Sequence, residues 1–345
     1  MAYTTIDDGS AHFQAQIYTG NNSDGLAITN SGNSNLQPDW LWIKKRSGSG
    51  QHVFVDSTRG VNKQLFSSLT DAEQTSTKFV ASLDSDGFTL NDSSSGSGDT
   101  NTTNGGTYVG WQWKANGGTT TSGGSDDTVS TSAHQANTTA GFSVVTYSGT
   151  GTQGHTVAHG LGVAPEVIIL KARNKSQNWR VFHHKTASDG TKRLILDQTN
   201  AQEDAAFLND TAPSSTVFTL GASDDAWNAS DGTYVAYCFA PIQGYSKFGS
   251  YTGNANADGA FVYTGFKPAW VMTKRTDSSQ NWAMYDNKRD GINVIDKLLY
   301  PNGSDAEVTT GGSLMVDFLS NGFKWRGTSA ISNGSGNHIY MAFAE

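Results

Sequence analysis

The sequence predicts an all-β protein: three tandem β-sandwich repeats, lectin- or jelly-roll-like, of about 100 residues each. Composition is the first reason. Gly, Ser, Thr, Asn and Asp separate short runs of Val, Ile, Phe, Tyr and Trp, and only six of 345 residues are proline, the profile of short strands joined by turns. Self-similarity is the second, because one series of motifs occurs three times along the chain. Third, the apolar motifs alternate with period two, while helical periodicity is weak throughout.

Each repeat opens on a tyrosine-glycine motif: "YTGN" at Tyr18, "YSGT" at Tyr147 and "YTGN" at Tyr251. A proline with an apolar run follows, "PDWLWIKKR" from Pro38, "PEVIILKAR" from Pro165 and "PAWVMTKRT" from Pro268. This run is apolar on both faces, as expected of a central strand covered on both sides. A third motif is "HVFVD" (His52), "WRVFH" (Trp179) or "WAMYD" (Trp282). The stretches from Asn62, Thr191 and Val294 are the best helical candidates, with one short helix or turn expected in each. A hairpin motif comes next, "GFTL", "VFTL" or "GFKW". Each repeat closes on a strand that sets Val109, Trp111 and Trp113, then Val235, Tyr237 and Phe239, then Ile339, Met341 and Phe343, on one face.

The expected boundaries are repeat one at 1–115, a Gly/Ser/Thr-rich linker at 116–140 with a possible short strand near Val129, repeat two at 141–242 and repeat three at 243–345. The long linker predicts a loosely tethered first repeat. The short joint "PIQGYSKFG" from Pro241 predicts a rigid pairing of the second and third.

A formal net charge of −8 supplies no basic face for phosphates, so nucleic acid is not an expected partner. The single cysteine, Cys238, excludes an intrachain disulfide framework. The opening "MAYTTIDDGS" has neither a basic nor an apolar leader region, and no apolar run reaches the roughly 20 residues that span a bilayer. Synthesis in the cytoplasm without a signal peptide, and no membrane insertion, are the expectations.

Most motifs that look chemical have plainer readings. Gly149, Gly151 and Gly154 mimic a dinucleotide fingerprint, but "HTVAHGLG" after them is not helical. "DSDGF" from Asp84 has calcium-loop spacing, yet its counterpart "LSNGF" from Leu319 makes both read as Asp-Gly and Asn-Gly hairpin turns. Asp126 and Asp127 lack the further oxygens of a calcium shell. His155, His159, His183 and His184 cluster in one repeat only, and His183 occupies the slot of Asp56 and Asp286, which argues against a shared metal or catalytic role. Cys238, inside a strand, reads as a packed thiol. Asp56 with Arg59 and Asp286 with Arg289 are expected to pair or cap the backbone, with sugar binding the alternative. Lys44, Lys171 and Lys274, each six residues past the proline, are expected to be solvated. No carboxylate pair suited to glycoside cleavage recurs. No cofactor, metal or catalytic residue is predicted.

The tryptophans mostly trade with other apolar residues across the repeats, which marks them as core. Trp227, in "ASDDAWNASDG", has no such partner. Flanked by Asp224, Asp225 and Asn228 in a turn-rich loop, it is the candidate carbohydrate site: the ring to stack on a pyranose, the polar groups for its hydroxyls. A tryptophan folded back onto its own sheet is the competing reading.

The motifs "MAYTTIDDGSAHFQAQIYTG", "QPDWLWIKKR", "STRG", "HGLGVAPEVIILKAR", "YVAYCFAPIQGYSKFGSYTGN", "GFKPAWVMTKR", "DNKRD", "DFLSNGFKWR" and "IYMAFAE" together resemble a repeat family of virion structural proteins of tailed, especially marine, bacteriophages, described as tail-fibre-like. The resemblance covers nearly the whole chain. It implies a non-enzymatic virion component, with the tail favoured, acting in host-surface attachment. The alternatives are a capsid decoration or head-fibre protein or tail adaptor without a ligand, and lastly a polysaccharide depolymerase. The partners so implied are other virion proteins, further copies in a homo-oligomer, a trimer being favoured, and a host cell-surface glycan.

Overall fold

The computed structural model describes residues 4–92, 98–124 and 126–345; residues 1–3 of the opening motif, 93–97 of the first repeat and 125 of the expected linker lie outside the described residues. The protein is all-β. Its first segment contains β1 (Phe13–Thr19), β2 (Leu26–Ile28), β3 (Trp40–Lys45), β4 (Val53–Asp56), β5 (Lys63–Phe66), β6 (Gln74–Thr75), β7 (Val80–Asp84), β8 (Gly87–Leu90) and β9 (Thr107–Trp113). Next come β10 (Thr121–Ser122), β11 (Ala133–Asn137), β12 (Phe142–Ser148), β13 (Thr156–Ala158), β14 (Val167–Ala172), β15 (Arg180–His183), β16 (Lys192–Ile195), β17 (Glu203–Asp204), β18 (Val217–Thr219) and β19 (Thr233–Phe239). The third segment holds β20 (Ser246–Gly253), β21 (Phe261–Tyr263), β22 (Trp270–Arg275), β23 (Ala283–Asp286), β24 (Lys297–Leu298), β25 (Val308–Thr309), β26 (Val316–Leu319), β27 (Gly322–Trp325) and β28 (Gly336–Phe343).

One strand order recurs in the three main sheets: β1-β9-β3-β4, β12-β19-β14-β15 and β20-β28-β22-β23, all antiparallel. A smaller sheet covers the outer face of each, β2-β8-β7, β13-β18 and β21-β27-β26. The outer cores so formed bury Leu41, Ile43 and Phe88 in the first segment, Ile168, Leu170 and Phe218 in the second, and Val271, Tyr285 and Phe323 in the third. Each segment is thus a sandwich, and the two-sided apolar runs after the prolines are its central strands.

The inner faces meet one another. Trp40, Trp42, Trp111 and Trp113, Val144, Tyr237 and Phe239, and Trp270, Met341 and Phe343 belong to one buried cluster. The Trp40 ring stacks on Tyr237 at 4.5 Å, Trp113 lies 5.6 Å from Trp270, and Phe239 lies 5.8 Å from Phe343. At about 2–3 kcal/mol per fully buried large apolar side chain, this shared core rivals the outer ones. It overturns the expectation of a loosely tethered first repeat: the period-two face of β9 is too apolar to face water, and the other segments cover it. The linker is structured as well. Strand β11 pairs with β12, and the buried Gln135 amide reaches back to Ser57 Oγ at 2.7 Å. Val129 is buried but stands outside a strand.

The helical candidates form strands instead. β5 and β16 extend their sheets by pairing with β4 and β15, and the equivalent stretch in the third segment bridges Met284 to Leu299. Sheet edges satisfy the backbone there, and the following loops lean on the neighbouring segment. Trp179 Nε1 donates to Phe66 O at 2.8 Å, Trp282 Nε1 donates to Ile195 O at 2.9 Å, and the same slot in the first segment, His52, places Nε2 3.0 Å from Tyr300 O. Trp42 Nε1 donates to His52 Nδ1 at 2.7 Å, so His52 carries its proton on Nε2.

The three lysines follow the same cycle and are not solvated. Lys44 Nζ donates to Ser304 O (3.3 Å), Lys171 to Thr70 O (2.9 Å) and Lys274 to Thr199 O (3.1 Å), and all three are buried. Burial pulls their pKa values down, to about 8 for Lys44 and Lys171 and about 7 for Lys274. First leans on third, second on first and third on second: the segments close a ring around the common core.

Candidate binding surfaces

The loop of the predicted carbohydrate site follows β18 and leads into β19. Trp227 folds inward, 9% exposed, and donates Nε1–H to Ala222 O at 2.9 Å. The guanidinium carbons of Arg180 and Arg193 stand 5.9 and 5.6 Å from the ring centroid, so no open face remains for a pyranose. Asn228 is fully buried; its amide donates to Thr152 O and Gly221 O and its Oδ1 accepts Thr150 N–H. Asn101 and Asn333 tie the matching loops of the other segments in the same way. Asp224 accepts Ala226 N–H in a local turn, and Asp225 pairs with Lys175 at 2.6 Å. Of the four predicted residues Asp225 is exposed, Asp224 is half-buried, and Trp227 and Asn228 are buried. The competing reading, a tryptophan packed on its own sheet, is the observed one, because an aromatic ring in a β-rich body gains more from the core behind Phe207 and Leu220 than from water.

The Asp-Arg pairs lie at two of the three seams between segments. Arg59 Nε donates to Asp56 Oδ2 (2.6 Å), Arg59 Nη1 contacts Glu73 Oε2 (2.9 Å), and Arg173 of the second segment grips the same carboxylate in bidentate fashion, both contacts at 2.9 Å. Tyr237 OH completes the cluster by donating to Asp56 Oδ2 at 2.8 Å. The seam between the third and first segments repeats it with Asp286, Arg289, Glu307, Arg46 and the Trp111 indole. The paired charges hold the carboxyl of Glu73 below its ordinary range against the opposing effect of burial. These groups lock segments together; in the sequence only the local Asp-Arg half was readable.

The remaining seam, between the second and third segments, lacks the ionic cluster. His183 and Thr186 stand where Asp56 and Arg59 would, and Thr276 replaces Arg173. His183 Nε2 lies 3.2 Å from Tyr340 O, and burial drops its pKa to about 3. Smaller side chains leave a groove along β20. Its largest cavity, about 600 Å³, is lined by Lys185, Lys247, Phe248 and Tyr263 among others, and a second of about 470 Å³ adjoins it at Thr186, Thr276 and His338. Phe261 and Tyr263 are about half exposed on its wall, at 47% and 54%.

A family described as a domain of unknown function (DUF7483) matches residues 8–345. The chain belongs to that family. The DUF7483 match takes in all three segments as one unit, in keeping with their shared core. No curated protein and no solved structure matches the chain.

The other sequence motifs occupy structural positions in this DUF7483 protein. Asp84 to Gly87 turns the β7–β8 hairpin, with Gly87 at φ +106° and a Cβ there falling 2.0 Å from Ile28 O. Asp127 accepts Val129 N–H, and Asp126 accepts Thr216 Oγ1. Among the described residues no group of three His, Cys, Asp or Glu side chains gathers to hold a metal. Cys238 is buried, which pushes its thiol pKa up and away from nucleophile behaviour. The groove along β20 escaped sequence reasoning; the signal for it was the loss of arginine at the slots of Thr186 and Thr276.

Proposed function

We propose that this DUF7483 protein is a non-catalytic structural component of a tailed-bacteriophage virion, placed at the tail fibre or tail tip, where it meets the host surface. The observation that carries the reading is the closed ring. Charged pairs that elsewhere serve ligands are spent here on locking three sandwiches into one disulfide-free body, which suits a part that transmits contact and turns over nothing. The virion-protein resemblance of the repeat motifs supports the same reading. A threefold arrangement exists within the single chain, so self-association into a homotrimer is not needed to cover the inner sheet faces. Light scattering on the intact chain reports it directly, a mass of one chain leaving further contacts to other virion proteins.

Cryo-microscopy of the particle with an antibody against this chain tests the placement. Label at the tail supports the proposal; label on the capsid lattice replaces it with a head-fibre or decoration role. New reducing ends released from host envelope glycans would make the protein a depolymerase and end the non-catalytic reading.

A further inference from the structure

Strand β20 is a sheet edge with a vacant side. Tyr245 O accepts Ala344 N–H, and β20 pairs with β28 from Ser246↔Phe343 onward. The odd-numbered residues therefore bond β28, and Ser246, Phe248, Ser250 and Thr252 direct their N–H and C=O groups into the groove. No strand among the described residues takes that edge. Two outward groups are occupied: Ser246 N–H donates to Ile242 O at 2.9 Å, and Phe248 O lies 3.1 Å from His184 Nε2.

The molecule shows what fills such a slot. Phe142, Val144 and Thr146 of β12 are the counterparts of Ser246, Phe248 and Ser250, and β11 pairs with them antiparallel, Gln135 opposite Val144. At the centre of that strand Gln135 bonds Ser57 and Thr58, whose counterparts beside β20 are His184 and Lys185. The third slot supplies the charge preference. There Lys288, the counterpart of Lys185, takes the Glu345 carboxylate at 3.0 Å. Lys185 is exposed and forms no ion pair among the described residues.

We propose that the groove along β20 binds an extended segment of another polypeptide, added antiparallel to the edge of this four-stranded sheet as a fifth strand equivalent to β11, with an acidic side chain at the position of Gln135 to meet Lys185. Backbone bonding to Phe248 and Ser250 supplies affinity, and Lys185, Phe261 and Tyr263 supply selectivity. Lys247, which donates to Tyr263 O at 2.9 Å, holds the aromatic wall in place. The inference is independent of where in a virion, or elsewhere, the protein resides.

The test uses the full chain and a fluorescent nine-residue peptide, residues 131–139 of this sequence carrying Gln135→Glu, with anisotropy and amide hydrogen exchange as readouts. Saturable binding that slows exchange at Ser250 and Thr252 is expected. Ser250→Pro removes an outward N–H that does not bond β28, and should weaken binding about tenfold with the melting temperature unchanged. Lys185→Glu should reverse the preference towards a peptide carrying Gln135→Lys. No binding up to about 1 mM, binding indifferent to Ser250→Pro, or new protection at Phe142 to Thr146 in place of β20 would each overturn the proposal.

Discussion

Replacing Arg59 with Leu tests whether the ionic seams hold the body together. The substitution removes the guanidinium but keeps apolar volume, and it strands Asp56, whose side chain is fully buried. Breaking a buried pair from one side costs about 3–5 kcal/mol. Asp56 would keep two donors, the residue-59 backbone N–H at 2.8 Å and Tyr237 OH at 2.8 Å, and Glu73 would keep Arg173, so the lower end, about 3 kcal/mol, is expected. Urea unfolding followed in parallel by tryptophan fluorescence and far-ultraviolet circular dichroism measures it. Because Arg59 bridges two segments that share a core, both signals should shift together as one transition. Adding Asp56→Asn should recover part of the loss, since it discharges the stranded carboxylate. A change below about 1 kcal/mol, or an early separate transition of the first segment, would refute the idea that the seam is structural.

Acid should destabilise the protein. Burial lowers the pKa of His52 well below 6.5, of His159 and His338 to about 4 and of His183 to about 3. Their folded values lie below the unfolded one, so the stability they permit is complete above pH 6.5 and is lost as pH falls towards 4. At pH 4.5 each costs up to about 2.7 kcal/mol, and calorimetry showing an unchanged melting temperature from pH 7 to 4.5 would contradict this. Trp227→Ala should cost about 3 kcal/mol through lost packing while leaving adsorption of the folded fraction intact; an adsorption defect with normal melting would revive the carbohydrate site. Trp40→Ala should cost about 4 kcal/mol and lower the single thermal transition of the whole chain, as differential scanning calorimetry would record. Amides of Ala133, Gln135 and Asn137 should exchange slowly, and fast exchange there would mean that the linker is not a sheet strand.

Much of this architecture was legible because its signals are local. Period-two alternation in β9, β19 and β28 and the proline-led runs of β3, β14 and β22 announced strands, and slot exchange among Trp40, Val167 and Trp270 marked them as core. What covers the inner face was not legible. A strand buried against its own small sheet and one buried against a neighbouring segment read alike, so Trp111 and Met341 gave no sign of a shared core. Helix-like spacing around Leu65 and Leu194 misled because neighbouring strands and carbonyl acceptors across the seams outweigh local propensity. The burial of Lys44 was hidden for the same reason: its acceptor lies in the loop at Ser304, 260 residues away. Asn228 looked free because Asn101 and Asn333 stand at different spacings from their closing strands.

The backbone crosses two of the ring's seams, at the stretch holding β11 and at the joint after Pro241. Gly9 and Ala344 meet at the seam between the third and first segments, where a Cβ on Gly9 would lie 3.1 Å from Ala344 O. A mechanical load applied between residues 9 and 344 would therefore fall first on the Arg46–Glu307 and Trp111–Asp286 contacts and peel the first segment from the third. The other two seams, which the backbone crosses, would stay joined until that joint had opened, which makes it the built-in fuse of the body under tension.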